Sequence, residues 1–193
     1  DLHSFPTRRS SDLWQSRHNV LNSLAAAAVG THFGLSLSLI REGLEKLLPA
    51  PGWKRLEFQE AEGVVVVNDT YNANPDSMRL AIDLLCELHC PGRKIAVLGD
   101  MLELGESSML EHERIGRYIQ QSSIDLLFTF GDHSKGYVTG NESRLFGHFG
   151  SRESLFRSLA DFVVPGDAVL FKASRGMRLE EVADALCRKR TRP

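Results

Sequence analysis

The chain has 193 residues, a formal net charge of −2, 42% hydrophobic and 25% charged residues. That length suffices for one good core and part of a second unit, and so balanced a charge excludes a molecule drawn as a whole to nucleic acid or an anionic membrane. No run approaches the roughly 18 apolar residues of a membrane span, and three cysteines (Cys86, Cys90 and Cys187) are too few for a disulfide framework and fit a reducing cytosol.

The first stretch, "DLHSFPTRRSSDL", lacks the apolar centre of a signal peptide. Its Arg and Ser density clashes with everything after it, so residues 1–13 read as a non-native or disordered leader, and the chain as a fragment of a longer protein. From Arg17 the pattern turns helical and stops at Gly34, a C-cap residue. Ser36 or Ser38 can cap a second helix running to about Leu48. "PAPG" at 49–52 then breaks the chain.

After this linker the rhythm becomes strand–helix alternation. Strands are predicted at 53–59, 63–68, 93–98, 124–130 and 167–172, with a weaker one at 145–148. Helices are predicted at 75–89, 107–121, 151–162 and 178–188, with a short one at 133–139. Apolar runs such as "KIAVLG" and "DAVLFKA" suit strands covered on both faces. The alternation implies an α/β fold with a mostly parallel, doubly wound sheet, and the first two strands can pair as an edge hairpin. Cys86 and Cys90, four apart in a helical pattern, read as helix filler.

In such sheets ligands bind beyond the carboxyl ends of the strands. Those ends carry "NDTYNANPDS", "GDMLELGESS", "GDHSKG" and "ASRGM". Asp69 can end a strand or hold a ribose diol, and Asn72 and Asn74 supply donors and acceptors together. Pro75 and Asp76 equally read as a helix start. Arg175 can take a carboxylate bidentately or pair with Glu180 or Glu181. Asp100 and Glu103 can receive an ammonium group or cap a helix. His112, inside a helix, reads as a packed or surface histidine before it reads as a base. His18, Asn19 and Asn22 lie within one turn, where the Asn pair can read an adenine edge or cap the helix. No G-x-x-x-x-G-K-[ST] occurs anywhere, so no loop here cradles a triphosphate.

"RHNVLNSLAAAA", "RLEF", "NDTYNANPDSM", "LGDMLELGESSMLEHERIG" and "FKASRGMRLEEV" follow in that order, and together they resemble the C-terminal part of a Mur ligase over about residues 16–188. Where that family often has Gly directly before the domain-opening Arg, this chain places Trp53 and Lys54 before Arg55. "YNANPDSM" and "GDMLELG" resemble the member that adds D-alanyl-D-alanine. The alternatives are a relative adding a different amino acid, which usually carries "YAHTP" in place of "YNANP", and a non-catalytic Rossmann-like binding domain.

The resemblance implies a Rossmann-like C-terminal domain at 50–193, preceded at 14–49 by the last helices of a central ATP-binding domain. The parent is implied to be a monomeric enzyme of the bacterial cytoplasm, serving peptidoglycan synthesis and through it cell shape and division. In the reaction the resemblance implies, ATP phosphorylates the carboxylate of UDP-N-acetylmuramoyl-tripeptide. The amino group of D-alanyl-D-alanine attacks the acyl phosphate, and ADP and phosphate leave. ATP and Mg2+ are the implied cofactors, their phosphate and metal ligands lying mostly outside this sequence. By the same resemblance Asn19 and Asn22 contact adenine with His18 beside them, Arg55 reaches toward the ATP phosphates, and Asp69 holds the ribose. Tyr71, Asn72 and Asn74 line the cleft, and Ser174 and Arg175 lie near the dipeptide carboxylate. Asp100 and Glu103 face the incoming dipeptide. No catalytic or metal-binding residue is assigned, and for lack of a P-loop the fragment alone is expected to be inactive.

Overall fold

The computed structural model describes residues 17–46 and 54–190. The expected leader at 1–13 and linker at 49–52 lie outside the described residues. The chain divides into two compact units, Asp1–Ala50 and Pro51–Pro193. In the first, α1 (Arg17–His32) and α2 (Leu37–Lys46) are joined through Gly34, whose φ of 76° is the left-handed conformation a helix stop favours. Ser36 rather than Ser38 caps α2, its Oγ accepting from the Leu39 amide at 3.3 Å.

The second unit is built on a six-stranded sheet of order β1-β2-β6-β3-β4-β5. β1 (Glu57–Ala61) and β2 (Val64–Asp69) form an antiparallel hairpin whose turn residues, Glu62 and Gly63, have φ of 48° and 76°. Two successive positive-φ residues match the turn to the twist of the strands. β6 (Ala168–Lys172) lies parallel to β2 and to β3 (Lys94–Gly99). β4 (Leu126–Phe130) pairs parallel with β3, and β5 (Leu145–Phe149) with β4. This is the mixed α/β class with a mostly parallel sheet that the apolar runs predict.

Alternation along the strands sorts the core into two layers. Val67, Ala96, Leu98, Leu127 and Leu170 pack on one face with Met78, Ile82 and Leu85 of α3 (Pro75–Glu87) and Ile115 and Ile119 of α4 (Ser108–Gln120). Val66, Val97, Phe128 and Phe171 pack on the other with Leu155 and Leu159 of α5 (Arg152–Phe162) and Val182 and Leu186 of α6 (Glu180–Arg190). Each such fully buried aliphatic side chain contributes roughly 1.5–3 kcal/mol.

Right-handed crossovers put helices on opposite faces when the chain moves in opposite directions across the sheet. From β2 through β5 the chain moves one way. α5 then returns it to β6, which slots between β2 and β3. The chain therefore leaves β3 toward α4 and leaves the adjacent β6 toward α6. The reversal falls between β6 and β3, the position where sheets of this kind place a ligand site.

Three local expectations shift. β1 begins at Glu57 rather than 53, because Lys54 and Leu56 are left-handed at φ 52° and 46°. α6 begins at Glu180, because Arg175–Met177 form a 3-10 turn and Arg178 has φ of 52°. α3 ends at Glu87, so Cys90 falls outside the helix and shares no helical face with Cys86.

At the amino end of the sheet, Arg93 Nη2 and Nε donate to the two Asp167 oxygens at 2.6 and 3.1 Å. The Arg93 and Val164 amides, each at 3.0 Å, donate to the same carboxylate. Burial works against the Asp167 charge, but these four donors outweigh it and hold the carboxyl below its ordinary range.

Candidate functional site

The carboxyl ends of β2, β6 and β3 are neighbours in the sheet, and the three loops that leave them are tied together. The loop after β2 is built around Lys172, the last residue of β6, which is 1% exposed. Its Nζ donates to Asp69 Oδ2 at 2.6 Å and to the Asn72 carbonyl at 2.9 Å. The other Asp69 oxygen accepts the Leu56 amide at 3.2 Å, and the Tyr71 amide donates to the Lys54 carbonyl at 3.0 Å. One carboxylate thus rivets the segment entering β1 to the loop leaving β2. The left-handed backbone at Lys54 and Leu56 presents both strap contacts, with Arg55 between them. Lys54 Nζ is held in turn by Asp184 of α6 at 2.7 Å.

This strap places three exposed side chains together. The Arg55 guanidinium lies 4.3 Å from the centroid of the Tyr71 ring, and the Arg175 guanidinium 5.4 Å from the same centroid. Both are within cation–π range. Of the two alternative partners for Arg175, Glu181 pairs with Arg152 at 3.0 Å and with Arg178, while the buried Oε2 of Glu180 has no hydrogen-bond partner, Arg175 included. Two guanidinium forks therefore converge on one ring at the carboxyl edge of a parallel sheet. Planar, five-donor groups in that setting suit phosphate and carboxylate oxygens.

Ser174 joins the loops after β3 and β6. Its amide donates to the Asp100 carbonyl at 3.0 Å, and its Oγ accepts the Leu102 amide at 2.9 Å while donating to the Ala73 carbonyl at 3.3 Å. Asp100 itself is 4% exposed and accepts the Ser134 amide at 2.7 Å. The prospect of a carboxylate pair with Glu103 gives way to a division of labour. Asp100 is spent inside the loop, whereas Glu103 is exposed on left-handed backbone at φ 65°. Gly131 is needed beside Asp100, since a Cβ there would sit 2.6 Å from the carboxyl and 2.5 Å from Met177.

Asn74 and Asn72 differ in the same way. Asn74 is the N-cap of α3 in a reciprocal capping box: its Oδ1 accepts the Ser77 amide at 2.8 Å, and its own amide donates to Ser77 Oγ at 3.0 Å. Asn72 is exposed and turns its Oδ1 back to the Ala73 amide at 2.9 Å. Asn22 is exposed on α1, in the other unit. The side chains of His18 and Asn19 lie outside the described residues.

His112 is packed, as its helical setting suggests, and 0% exposed. Lys172 is the residue sequence reasoning missed. Its signal was there: a lone lysine closing the apolar run "AVLF" demands a buried partner. Among the described residues there is no group of three or more His, Cys, Asp or Glu side chains placed to hold a metal ion. No helix among them is long and apolar enough to cross a membrane.

A family model described as "Mur ligase, glutamate ligase domain" matches residues 54–175, which takes in the strap, the Tyr71 loop and the β6 loop together. The chain belongs to the Mur ligase family. Among curated relatives, it is 37% identical over 174 residues to a UDP-N-acetylmuramoyl-tripeptide–D-alanyl-D-alanine ligase of Bacillus subtilis, covering 88% of this chain and 38% of that protein. It is 36% identical to the protein of that name from Escherichia coli, covering 88% and 37%. Of solved structures, MurF from Acinetobacter baumannii superposes with a TM-score of 0.79 at 33% identity, covering 89% of this chain and 37% of that one. MurF ligase from Thermotoga maritima in complex with ADP does so at 0.74 and 32%, covering 89% and 38%. The chain thus spans 37–38% of the length of these relatives.

Proposed function

We propose that the chain forms the carboxy-terminal wall of the active site of an ATP-dependent ligase that joins D-alanyl-D-alanine to UDP-N-acetylmuramoyl-tripeptide. The observation that carries this is the pair of exposed guanidiniums, Arg55 and Arg175, gathered on Tyr71 at the switch-point edge of the sheet. The reaction has two anionic requirements here: the phosphoryl group moving from ATP to the tripeptide carboxylate, and the free carboxylate of the incoming dipeptide. Arg55 serves the first and Arg175 the second, with Ser174 tying the loop beside it. The dipeptide amine then attacks the acyl phosphate carbon, its nitrogen gives up a proton as the amide bond forms, and phosphate leaves with the electron pair of the broken C–O bond and takes up a proton. Charge developing on the phosphoryl oxygens would be met by the Arg55 guanidinium, which rests on the Tyr71 ring.

The described residues fit part of a nucleotide site. Asp69 has roughly four lone-pair directions, and its two protein donors leave acceptor capacity for a ribose diol at the loop surface. Asn19, Asn22 and His18 are assigned to the adenine, and Tyr71, Asn72 and Asn74 to the cleft. Asp100 and Glu103 shape the dipeptide side, Asp100 from within the loop. Mg2+ would supply charge neutralisation on the phosphates, and none of the described residues is assigned to it. The same reading makes the parent a monomeric enzyme of the bacterial cytoplasm. It also makes this chain alone inactive.

The test is phosphate release by the full-length ligase carrying this chain, with ATP, UDP-tripeptide and D-alanyl-D-alanine. Arg175→Ala is expected to lower kcat/KM for the dipeptide about 10- to 100-fold, or roughly 1.4–2.8 kcal/mol of transition-state stabilisation. An unchanged kcat/KM, or a wild-type enzyme equally active with a free diamino acid, overturns the assignment.

A further inference from the structure

His112 touches none of the residues gathered on Tyr71, yet its ring holds the loop that Ser174 reads. Nδ1 lies 2.7 Å from the Ser108 carbonyl, which accepts only, so Nδ1 carries the proton. Nε2 lies 2.9 Å from the Met101 amide, which donates only, so Nε2 is bare. The imidazole is thereby fixed as one neutral tautomer between two backbone groups. The next amide along, Leu102, donates to Ser174 Oγ, the residue before Arg175. Two glycines make this placement possible. A Cβ on Gly136 would sit 2.7 Å from His112 Cβ, and one on Gly116 would sit 2.9 Å from the Gly136 carbonyl. The 3-10 segment Ser134–Val138 therefore lies flat against α4, with the Tyr137 ring centroid 4.9 Å from that of His112.

We infer that His112 is a positioning residue for the dipeptide side of the site: its bare Nε2 fixes the Met101–Leu102 backbone, and through Leu102 and Ser174 it sets where Arg175 stands. The inference rests on the ligase reading for its consequence, but not for its geometry. A proton on Nε2 would face an amide donor and break the link. The groups facing the ring from the neighbouring elements are Asp100 on the β3 loop, and His133 and Tyr137 on the segment after β4. Burial lowers the His112 pKa below its ordinary value, against the Ser108 hydrogen bond and the Asp100 charge, which raise it. The neutral form therefore prevails at neutral pH, and the link is lost only as pH falls through that lowered pKa.

The test compares His112→Leu, which removes the acceptor, with His112→Gln, whose Oε1 can replace Nε2. Amide exchange in this chain is read at Met101 and Leu102, relative to Val97 and Leu98 in the core strand, so that a general loss of stability is divided out. Leu102 is expected to exchange about tenfold faster in His112→Leu and to recover in His112→Gln. In the full-length ligase, KM for D-alanyl-D-alanine is expected to rise about tenfold in His112→Leu, with KM for ATP unchanged. His112→Gln is expected to restore that KM and to lose the rise that wild type shows when acid protonates the imidazole. Unchanged exchange at Leu102, or equal changes in both KM values, overturns the inference. A wild-type enzyme with no ligase activity refutes the functional reading instead, and leaves the exchange result to decide the positioning claim.

Discussion

Lys172 shows how one residue sets a site from behind. It is sealed under the loop after β2, and its ammonium group reaches both the Asp69 carboxylate and the Asn72 carbonyl. A buried pair of this kind contributes little as a sum of desolvation and attraction, but losing one partner strands the other. Lys172→Met is expected to cost about 2–4 kcal/mol of stability, measured by urea unfolding, and Asp69→Asn in the same chain is expected to recover part of it. A single variant as stable as wild type would show that Asp69 is sufficiently solvated alone. Asp69 therefore has a structural role whether or not a ribose binds: its oxygens hold the strap that delivers Arg55 to Tyr71.

At the scale of elements, the three loops divide their polar residues between building and presenting. Asn74 caps α3, Ser174 joins β3 to β6, and Asp100 holds the segment after β4. Arg55, Tyr71, Asn72, Glu103 and Arg175 are exposed, as is Asn74 even while it caps the helix. Asn74→Ala is expected to cost about 1 kcal/mol through the lost capping box. Asn74→Ser keeps an N-cap acceptor, and is expected to regain most of that stability on thermal unfolding. Should Asn74→Ser restore stability while dipeptide KM stays raised, the residue also serves the cleft, as its neighbours suggest.

Across the whole second unit, a part-buried ion pair closes one end of the sheet and the residues proposed to meet ligand gather at the other. The Arg93–Asp167 pair closes the amino end, and the exposed guanidiniums gather at the carboxyl end. Because the Asp167 carboxyl is depressed in the folded state, it releases its proton more readily there than in the unfolded chain. Its contribution is complete above the unfolded value near pH 4 and is lost as pH falls through the folded one. Asp167→Asn is expected to lower stability by about 3 kcal/mol at pH 7 and to flatten the loss of stability below about pH 4. The urea midpoint as a function of pH reads both. Dipeptide KM in the full-length ligase is expected to be unchanged, the reverse of the pattern for Arg175→Ala.

Much of this was legible in order along the chain. Apolar runs such as "KIAVLG" identify doubly covered strands because a parallel sheet leaves neither face to water. Asn74 before Pro75 marks a helix start for local reasons alone. The strap was not legible. Nothing near Lys54 or Leu56 calls for left-handed backbone; those φ values hold because Asp69 and Tyr71, reached only after the hairpin has paired, receive the contacts. Nor was the gathering of Arg55, Tyr71 and Arg175: the hairpin and its strap bring Arg55 to Tyr71, and Arg175 joins them only because β6 pairs with β2. The sequence by itself determined the α/β class, the strand ends and the kind of residue found at each, since these follow from local pattern. Tertiary structure decided which of those residues are spent on holding loops and which face outward, because that depends on which strand ends become neighbours.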